Sequence, residues 1–249
     1  MPELPEVEWF RRSLAHSILD KKIQKVTVRD EGILKDISKH SFITQVQGAT
    51  FKHTKRHGKY LGLLFKKKVL VMHFGMSGSI TTKDTDQGKI IIEFRKKKLT
   101  YKCPRTFGSV QLIDDWKEWI DKKELGPDAL HITLKELRSA LKNRTGMIKP
   151  IVMNQQVIAG LGTVYTDEVL FQMGVDPTES IEKIDKKELH KTIRQVLKTA
   201  TQHHGKREEL TQNWLTPHRK PGKTCPRCNG TIRKKEVAGR STYYCSKHQ

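Results

Sequence analysis

Four side chains near the C-terminal end have the types and spacing that hold a metal. Cys225 and Cys228 form a C-x2-C knuckle, and after sixteen intervening residues Cys245 and His248 form C-x2-H. Thiolates and imidazole are the donors tetrahedral zinc prefers, and two hairpin-borne pairs at this spacing can meet on one ion. A ribbon of about 30 residues has too small a core to fold without such a staple. All four positions are protein ligands, so one structural zinc is expected, holding RKKEVAGRSTYY in a hairpin that presents Arg240. Cys103 is remote in sequence and reads as an ordinary semi-buried thiol.

At the other end stands MPELPEVEWFRRSL, where Val7, Phe10, Leu14 and Ile18 recur at helical spacing. Pro2 and Pro5 suit the first turn of a helix, where the missing N–H costs nothing. A chemical reading stands beside that structural one. Removal of Met1 would leave Pro2 with a free secondary amine next to Glu3 and Glu6. A third stretch, GLGTVYTDEVLF (residues 160 to 171), places two glycines ahead of a segment whose Val164, Val169 or Leu170, and Phe171 can form an apolar helix face. Backbone N–H groups at such a helix start make a phosphate site. Alone, Gly-x-Gly before a helix is more often packing than binding.

The elements that must position these residues change character twice. The runs KKIQKVTV, KYLGLLF, KKVLVMHF, GKIIIEF, KKLTYK and FGSVQLI predict antiparallel strands behind the first helix. From LGPDAL onward the pattern is helical. Thr133 with Glu136 makes a capping box before Leu134, Leu137 and Leu141, and Asp185 with Glu188 opens a helix carrying Leu189, Ile193, Val196 and Leu197. A polar stretch then leads to the cysteine-rich tail. The expected domains are residues 1–124, 125–216 and 217–249. The 249 residues carry 48 Lys and Arg against 27 Asp and Glu, a net charge of +21. Such an excess asks for a polyanion. Nucleic acid is favoured over membrane, because the basic residues are distributed and neither a long apolar span nor a lipidation motif occurs. The lack of a targeting segment predicts a cytoplasmic protein.

PELPEVE, RHGKYL, HFGMSGS, PRTFG, LGPDAL, GLGTVYTDEVLF and C-x2-C-x16-C-x2-H, in this order, together resemble the bacterial formamidopyrimidine-DNA glycosylase family, relatives of endonuclease VIII. The resemblance spans nearly the whole chain. It implies a multidomain α+β fold: an N-terminal antiparallel β-sandwich with a leading helix, a helix-two-turn-helix domain, and a zinc-finger β-hairpin. The activity implied is excision of oxidised bases from duplex DNA followed by strand cleavage at the abasic site, by a nucleoid-associated monomer.

The resemblance also gives the residues their roles. Pro2 would attack C1′ of the sugar, forming an iminium that acidifies the C2′ proton for elimination. An α-amine has a reference pKa of roughly 8, so a useful fraction is unprotonated near neutrality. Glu3 would be the acid assisting ring opening, Glu6 would support the amine, and Lys59 would contact the lesion's phosphate or shuttle protons. Met76, Arg105 and Phe107 would fill the void left by the extruded base, with Arg105 donating to the orphaned partner, preferentially cytosine. His73, Lys59, Arg240, Tyr165 and the amides after Gly162 would hold phosphates. The sequence departs from the family pattern in four places. Thr163 replaces an asparagine, Cys103 an aspartate and His248 the last zinc cysteine, and the stretch between Gln202 and Cys225 is too short to cap a purine. That last departure predicts 8-oxoguanine to be a poor substrate. An abasic-site or distorted-DNA binder with little excision activity is the alternative.

Overall fold

The computed structural model describes residues 1–210 and 213–249; Thr211 and Gln212, inside the short stretch between Gln202 and Cys225, lie outside the described residues. The chain divides into two compact units, one of Met1–Pro2 with Glu6–Lys123, the other of Glu3–Pro5 with Glu124–Gln249.

Helix α1 (Leu4–Ser17) buries Val7, Phe10 and Leu14 on one stripe, as their spacing requires. In the first unit it leads into β1 (Ile23–Val28), β2 (Leu34–Lys35), α2 (Lys39–Val46), β3 (His53–His57), β4 (Tyr60–Phe65) and β5 (Lys68–His73). Then follow β6 (Ser79–Thr81), β7 (Gly88–Phe94), β8 (Lys98–Lys102), β9 (Ser109–Ile113) and α3 (Trp116–Lys122). A five-stranded sheet, β2-β9-β5-β4-β3, faces a four-stranded sheet, β1-β7-β8-β6. Leu61, Leu63, Leu70 and Met72 of the first share one core with Val26, Ile90, Ile92 and Leu99 of the second, closed by Phe10 and Leu14 of α1. This is the expected sandwich. One pairing is parallel rather than antiparallel: the two-residue β2 enters from a 3-10 turn at Glu31–Ile33 and lies alongside Val110 and Gln111 of β9. The edge strand β3, sequence HTKRH, has no alternating pattern, because it takes its shape from pairing with β4 along its whole length.

The second unit contains α4 (Leu134–Leu141), α5 (Ile148–Met153), α6 (Thr163–Met173), α7 (Lys186–Gln202) and the hairpin β10 (Ile232–Val237) and β11 (Arg240–Cys245). Both hydrogen bonds of the Thr133–Glu136 capping box are present, and the Asp185 carboxylate accepts from the amides of Lys187 and Glu188. Leu137, Ile148, Val152, Val169, Leu170, Leu189, Ile193 and Val196 form the helical core. A separate cluster of Phe171, Leu215, Cys225, Ile232 and Cys245 seats the hairpin on α6. Helix α6 is buried along Val164–Phe171 on every side, not on one face only. Among the described residues no helix is long and apolar enough to cross a membrane.

Candidate active site and metal centre

Glu3 is completely buried within the second unit. Its carboxylate accepts the backbone N–H of Gly162 (2.8 Å), Val164 (2.8 Å) and Tyr165 (3.2 Å). Gly162 is the N-cap of α6 and supplies no side-chain cap, so Glu3 is the cap, delivered from a distant part of the sequence. The orphan amides and the positive end of the helix dipole hold its carboxylate. The local sequence permits this approach. Gly160 has φ +122, and a Cβ there would lie 2.4 Å from Leu4 Cδ1, while Leu4 N donates to Gly160 O. The amides of Gly162, Val164 and Tyr165, part of the expected phosphate site, thus serve the protein's own carboxylate. Tyr165 is likewise fully buried, its ring 5.5 Å beneath the Arg207 guanidinium, so its side chain offers no surface contact to phosphate. Thr163, the first residue of α6, is half-buried. Pro2 is one peptide bond from Glu3; Pro2 and Glu6 are half-buried.

In the first unit, Lys59 occupies the second position of a two-residue turn between β3 and β4, after Gly58 at φ +54. Glycine at the first position suits such a hairpin. The turn is braced from behind. Arg56 donates through Nε to Glu8 Oε2 (3.0 Å) and through NH1 to the Gly58 carbonyl (3.2 Å). Glu8 lies on α1, is 4% exposed, and also receives Arg11 and Arg12. Burial alone would raise the Glu8 pKa, but the surrounding guanidiniums outweigh it and hold the carboxyl at about 2.

His73 closes β5 with its ring 4.8 Å from that of Tyr60. Burial, reinforced by the charges of Lys59 and Lys123, lowers its pKa to about 4. The ring is therefore neutral at physiological pH. Gly75 N–H donates to Nδ1 (3.4 Å), which places the ring proton on Nε2, a neutral donor rather than a cation.

The loops holding Met76, Arg105 and Phe107 pack backbone against backbone. Gly75 has φ +55, and a Cβ there would fall 2.5 Å from the Phe107 carbonyl carbon. A Cβ at Gly108 would fall 2.0 Å from the Tyr101 hydroxyl, which donates to His73 O. The glycines of HFGMSGS and PRTFG thus bring three side chains to one end of the sandwich. Met76 is 47% and Phe107 63% exposed, an unfavourable display for large apolar groups in water. Arg105 is exposed beside them, its Nε donating to Ser77 Oγ (3.3 Å). Cys103 is buried and accepts from Gly108 N, a structural thiol inside this loop.

The donor atoms of Cys225, Cys228, Cys245 and His248 all lie within 4.8 Å of one another. Cys225 Sγ is 3.6 Å from His248 Nδ1, and Cys228 Sγ is 3.3 Å from Cys245 Sγ, separations that a tetrahedral zinc spans. His248 Nε2 meets the Phe171 carbonyl at 3.2 Å. That contact fixes the tautomer that leaves Nδ1 for the metal. Arg240 is exposed at the start of β11, beyond a turn whose Ala238 and Gly239 both have positive φ.

Charged groups that the sequence did not mark tie this hairpin down. Lys149 and Asp167 are both fully buried, 2.6 Å apart, and Asp167 also accepts Arg219 (2.7 Å) and the Tyr243 amide (3.0 Å). Lys149 donates to Thr242 Oγ1 as well. Burial opposes both charges, pushing Asp167 up and Lys149 down, and their mutual contact opposes that push. Glu168 takes the amides of Leu215 and Thr216. The one sequence signal for these residues is a pair of acids inside the otherwise apolar YTDEVLF.

Family models match most of the chain: the formamidopyrimidine-DNA glycosylase N-terminal domain over residues 1–110, its H2TH domain over 125–211, and the zinc finger found in FPG and IleRS over 222–247. The formamidopyrimidine-DNA glycosylase of Carboxydothermus hydrogenoformans is 32% identical over 266 residues, covering 98% of each chain. That of Streptococcus thermophilus is 32% identical over 268 residues, again covering 98% of each. Among solved structures, the Lactococcus lactis enzyme in complex with FAPY-dG-containing DNA is similar with a TM-score of 0.90 at 28% identity, over 99% of both chains. The same enzyme bound non-covalently to DNA containing an abasic site has a TM-score of 0.89 at 28% identity, over 100% of this chain and 99% of that one. By sequence and by fold, the chain belongs to the formamidopyrimidine-DNA glycosylase family of DNA glycosylases.

Proposed function

We propose that the protein is a bifunctional glycosylase and abasic-site lyase that excises oxidised bases from duplex DNA through its N-terminal proline. The observation that carries this reading is the pinning of Glu3 by three N–H groups of α6. It fixes the residue adjoining the nucleophile. After Met1 is removed, the Pro2 nitrogen attacks C1′; the N-glycosidic bond breaks and the base leaves with a proton. The proton shed by the Pro2 nitrogen passes by way of the Glu3 carboxylate to the sugar ring oxygen, the ring opens, and the freed nitrogen lone pair forms the C1′ iminium. Loss of the C2′ proton then expels the 3′ phosphate and cleaves the strand. Glu6 supports the amine, and Lys59, on its braced turn, holds the phosphate beside the lesion or relays protons. Met76, Arg105 and Phe107 take the space of the extruded nucleotide, while His73 and Arg240 hold phosphates. The chain's one structural zinc keeps the Arg240 hairpin folded. Lactococcus lactis relatives bound to abasic and to FAPY-dG-containing DNA support the substrate class.

The test is borohydride reduction with abasic duplex DNA, which should trap a covalent adduct. Pro2→Gly, or retention of Met1 verified by intact mass, should greatly weaken trapping. Trapping that survives loss of the Pro2 amine would move the role to a lysine. Thr163 and the short stretch after Gln202 support the alternative, a binder of abasic or distorted DNA with little excision. Strong abasic binding with no excision of any lesion would select it.

A further inference from the structure

The end of the β-sandwich opposite Lys59 carries a second concentration of positive charge. Strand β4 runs away from the Lys59 turn and ends at Phe65, roughly 20 Å off at about 3.3 Å per residue. There the Phe51 ring lies 5.5 Å from Phe65 and 6.5 Å from Phe94. Each of these three phenylalanines is followed directly by a cation: Lys52, Lys66 and Arg95. The aromatic cluster therefore gathers the β4–β5 turn (Lys66, Lys67) and the β7–β8 turn (Arg95, Lys96, Lys97) onto one rim. Pairing of Ile23 with Phe94 adds Lys22. These last six cations are all exposed, and among the described residues no ion pair is found for any of them. Lys52, by contrast, is paired with Asp20. Lys66 holds φ +50 at a hairpin position where glycine or asparagine is the unstrained choice.

We infer that this rim is a second binding surface for duplex DNA, one that takes the phosphates of a segment other than the one bearing the lesion. Convex turn tips with long cationic side chains suit a phosphate backbone, which needs charge and no pocket. Among the described residues, the exposed large apolar side chains, Met1, Trp9, Met76, Phe107 and Met147, all lie outside the rim. The rim therefore lacks the buried anchor a peptide needs and the apolar face a membrane-surface helix needs. The inference goes beyond base excision: a chain that excised nothing would still hold two duplexes.

The experiment saturates the protein with an unlabelled abasic duplex, then adds a fluorescent undamaged 20-bp duplex and follows its anisotropy. The second duplex should bind at low salt. With about four phosphates neutralised, a rise from 50 to 200 mM salt should weaken it about 100-fold. Replacing Lys66, Lys67, Arg95, Lys96 and Lys97 with serine should abolish second-duplex binding while abasic binding and single-turnover excision of the first duplex stay unchanged. Circular dichroism checks that the variant folds, and a variant limited to Lys66 and Lys67 should lose part of the effect. No second-duplex binding by the native chain, or equal binding by the serine variant, would overturn the inference. So would tighter rim-dependent binding to an oligoglutamate peptide or to anionic phosphatidylserine vesicles.

Discussion

Changing Glu8 to glutamine keeps the side chain's size and removes the charge that Arg11, Arg12 and Arg56 share. The gap between 4.5 and about 2, at about 1.4 kcal/mol per pKa unit, corresponds to about 3 kcal/mol. Arg11 and Arg12 are 30% and 48% exposed, and solvent screening brings this to about 2 kcal/mol. The substitution also strands Arg56, whose side chain is 3% exposed, so the total cost should reach about 3 kcal/mol. The first unit should then melt about 10 °C lower at pH 7. The sign of the pH effect follows from the depressed pKa. Native stability from Glu8 is complete above about pH 5 and is lost as pH falls toward 2. Melting curves of native and Glu8→Gln protein should therefore converge in acid. Because Arg56 also holds the Gly58 carbonyl, the variant should lose about tenfold in single-turnover excision through a loosened Lys59 turn, with little change in abasic-DNA affinity. Adding Arg56→Met should recover part of the melting temperature and none of the rate. Equal melting temperatures at pH 7, or a variant as acid-sensitive as the native chain, would refute this account of the brace.

Glu3→Gln should reduce base excision far more than strand cleavage at a preformed abasic site, since an aldehyde needs less acid assistance; equal losses in both assays would argue against the assignment. His248→Ala should lower zinc retention and with it DNA binding, whereas His248→Cys should preserve both, as measured by metal content after dialysis against a chelator. His73 is neutral above about pH 4, so His73→Gln should leave the slope of log affinity against log salt unchanged, while Lys59→Gln should make it shallower by about one. Its depressed pKa means that the unfolded chain takes up the proton first. His73 therefore costs stability as pH falls from about 6.5 toward 4, and the glutamine variant should be flatter in that window. With a short segment after Gln202, ring-opened and hydantoin lesions should be excised clearly faster than 8-oxoguanine opposite cytosine; equal single-turnover rates would show that the segment's length does not decide the substrate.

Much of the fold was legible because it rests on local rules. The stripe of Val7, Phe10 and Leu14 is a helix period, the Thr133–Glu136 box is a four-residue signal, and the zinc ligands come as two tight pairs. Strand β3 was not legible, because HTKRH is an edge whose shape comes from β4. The buried charges escaped for a related reason: each is explained only by a partner far along the chain. Lys149 is 18 residues from Asp167 and 93 from Thr242, and Glu8 is 48 from Arg56. A lysine within MIKPIVMN looks like any other in so basic a protein.

The start of α6 shows how far sequence logic reaches: it marks an anion receptor and does not name the anion. Glycines ahead of a helix do build an anion receptor, and the amides of Gly162, Val164 and Tyr165 do converge on one anion. Helix physics does not distinguish a phosphate from a carboxylate. The anion is Glu3, 159 residues from Gly162 in sequence. Under the proposed mechanism this occupancy serves catalysis better than a phosphate contact there would. A nucleophile at a chain end is otherwise free to fray, and ordering it for each turnover would raise the barrier. With Glu3 held by three N–H groups and Leu4 lodged against Gly160, the backbone is fixed up to the peptide bond that Pro2 shares. The proline ring in addition fixes the orientation of the nitrogen about its N–Cα bond. A Gly160→Ala substitution tests this: a Cβ 2.4 Å from Leu4 must displace the segment. Excision and borohydride trapping should then fall together while zinc content stays intact, and a variant that traps as well as the native chain would show that the pinning is not needed.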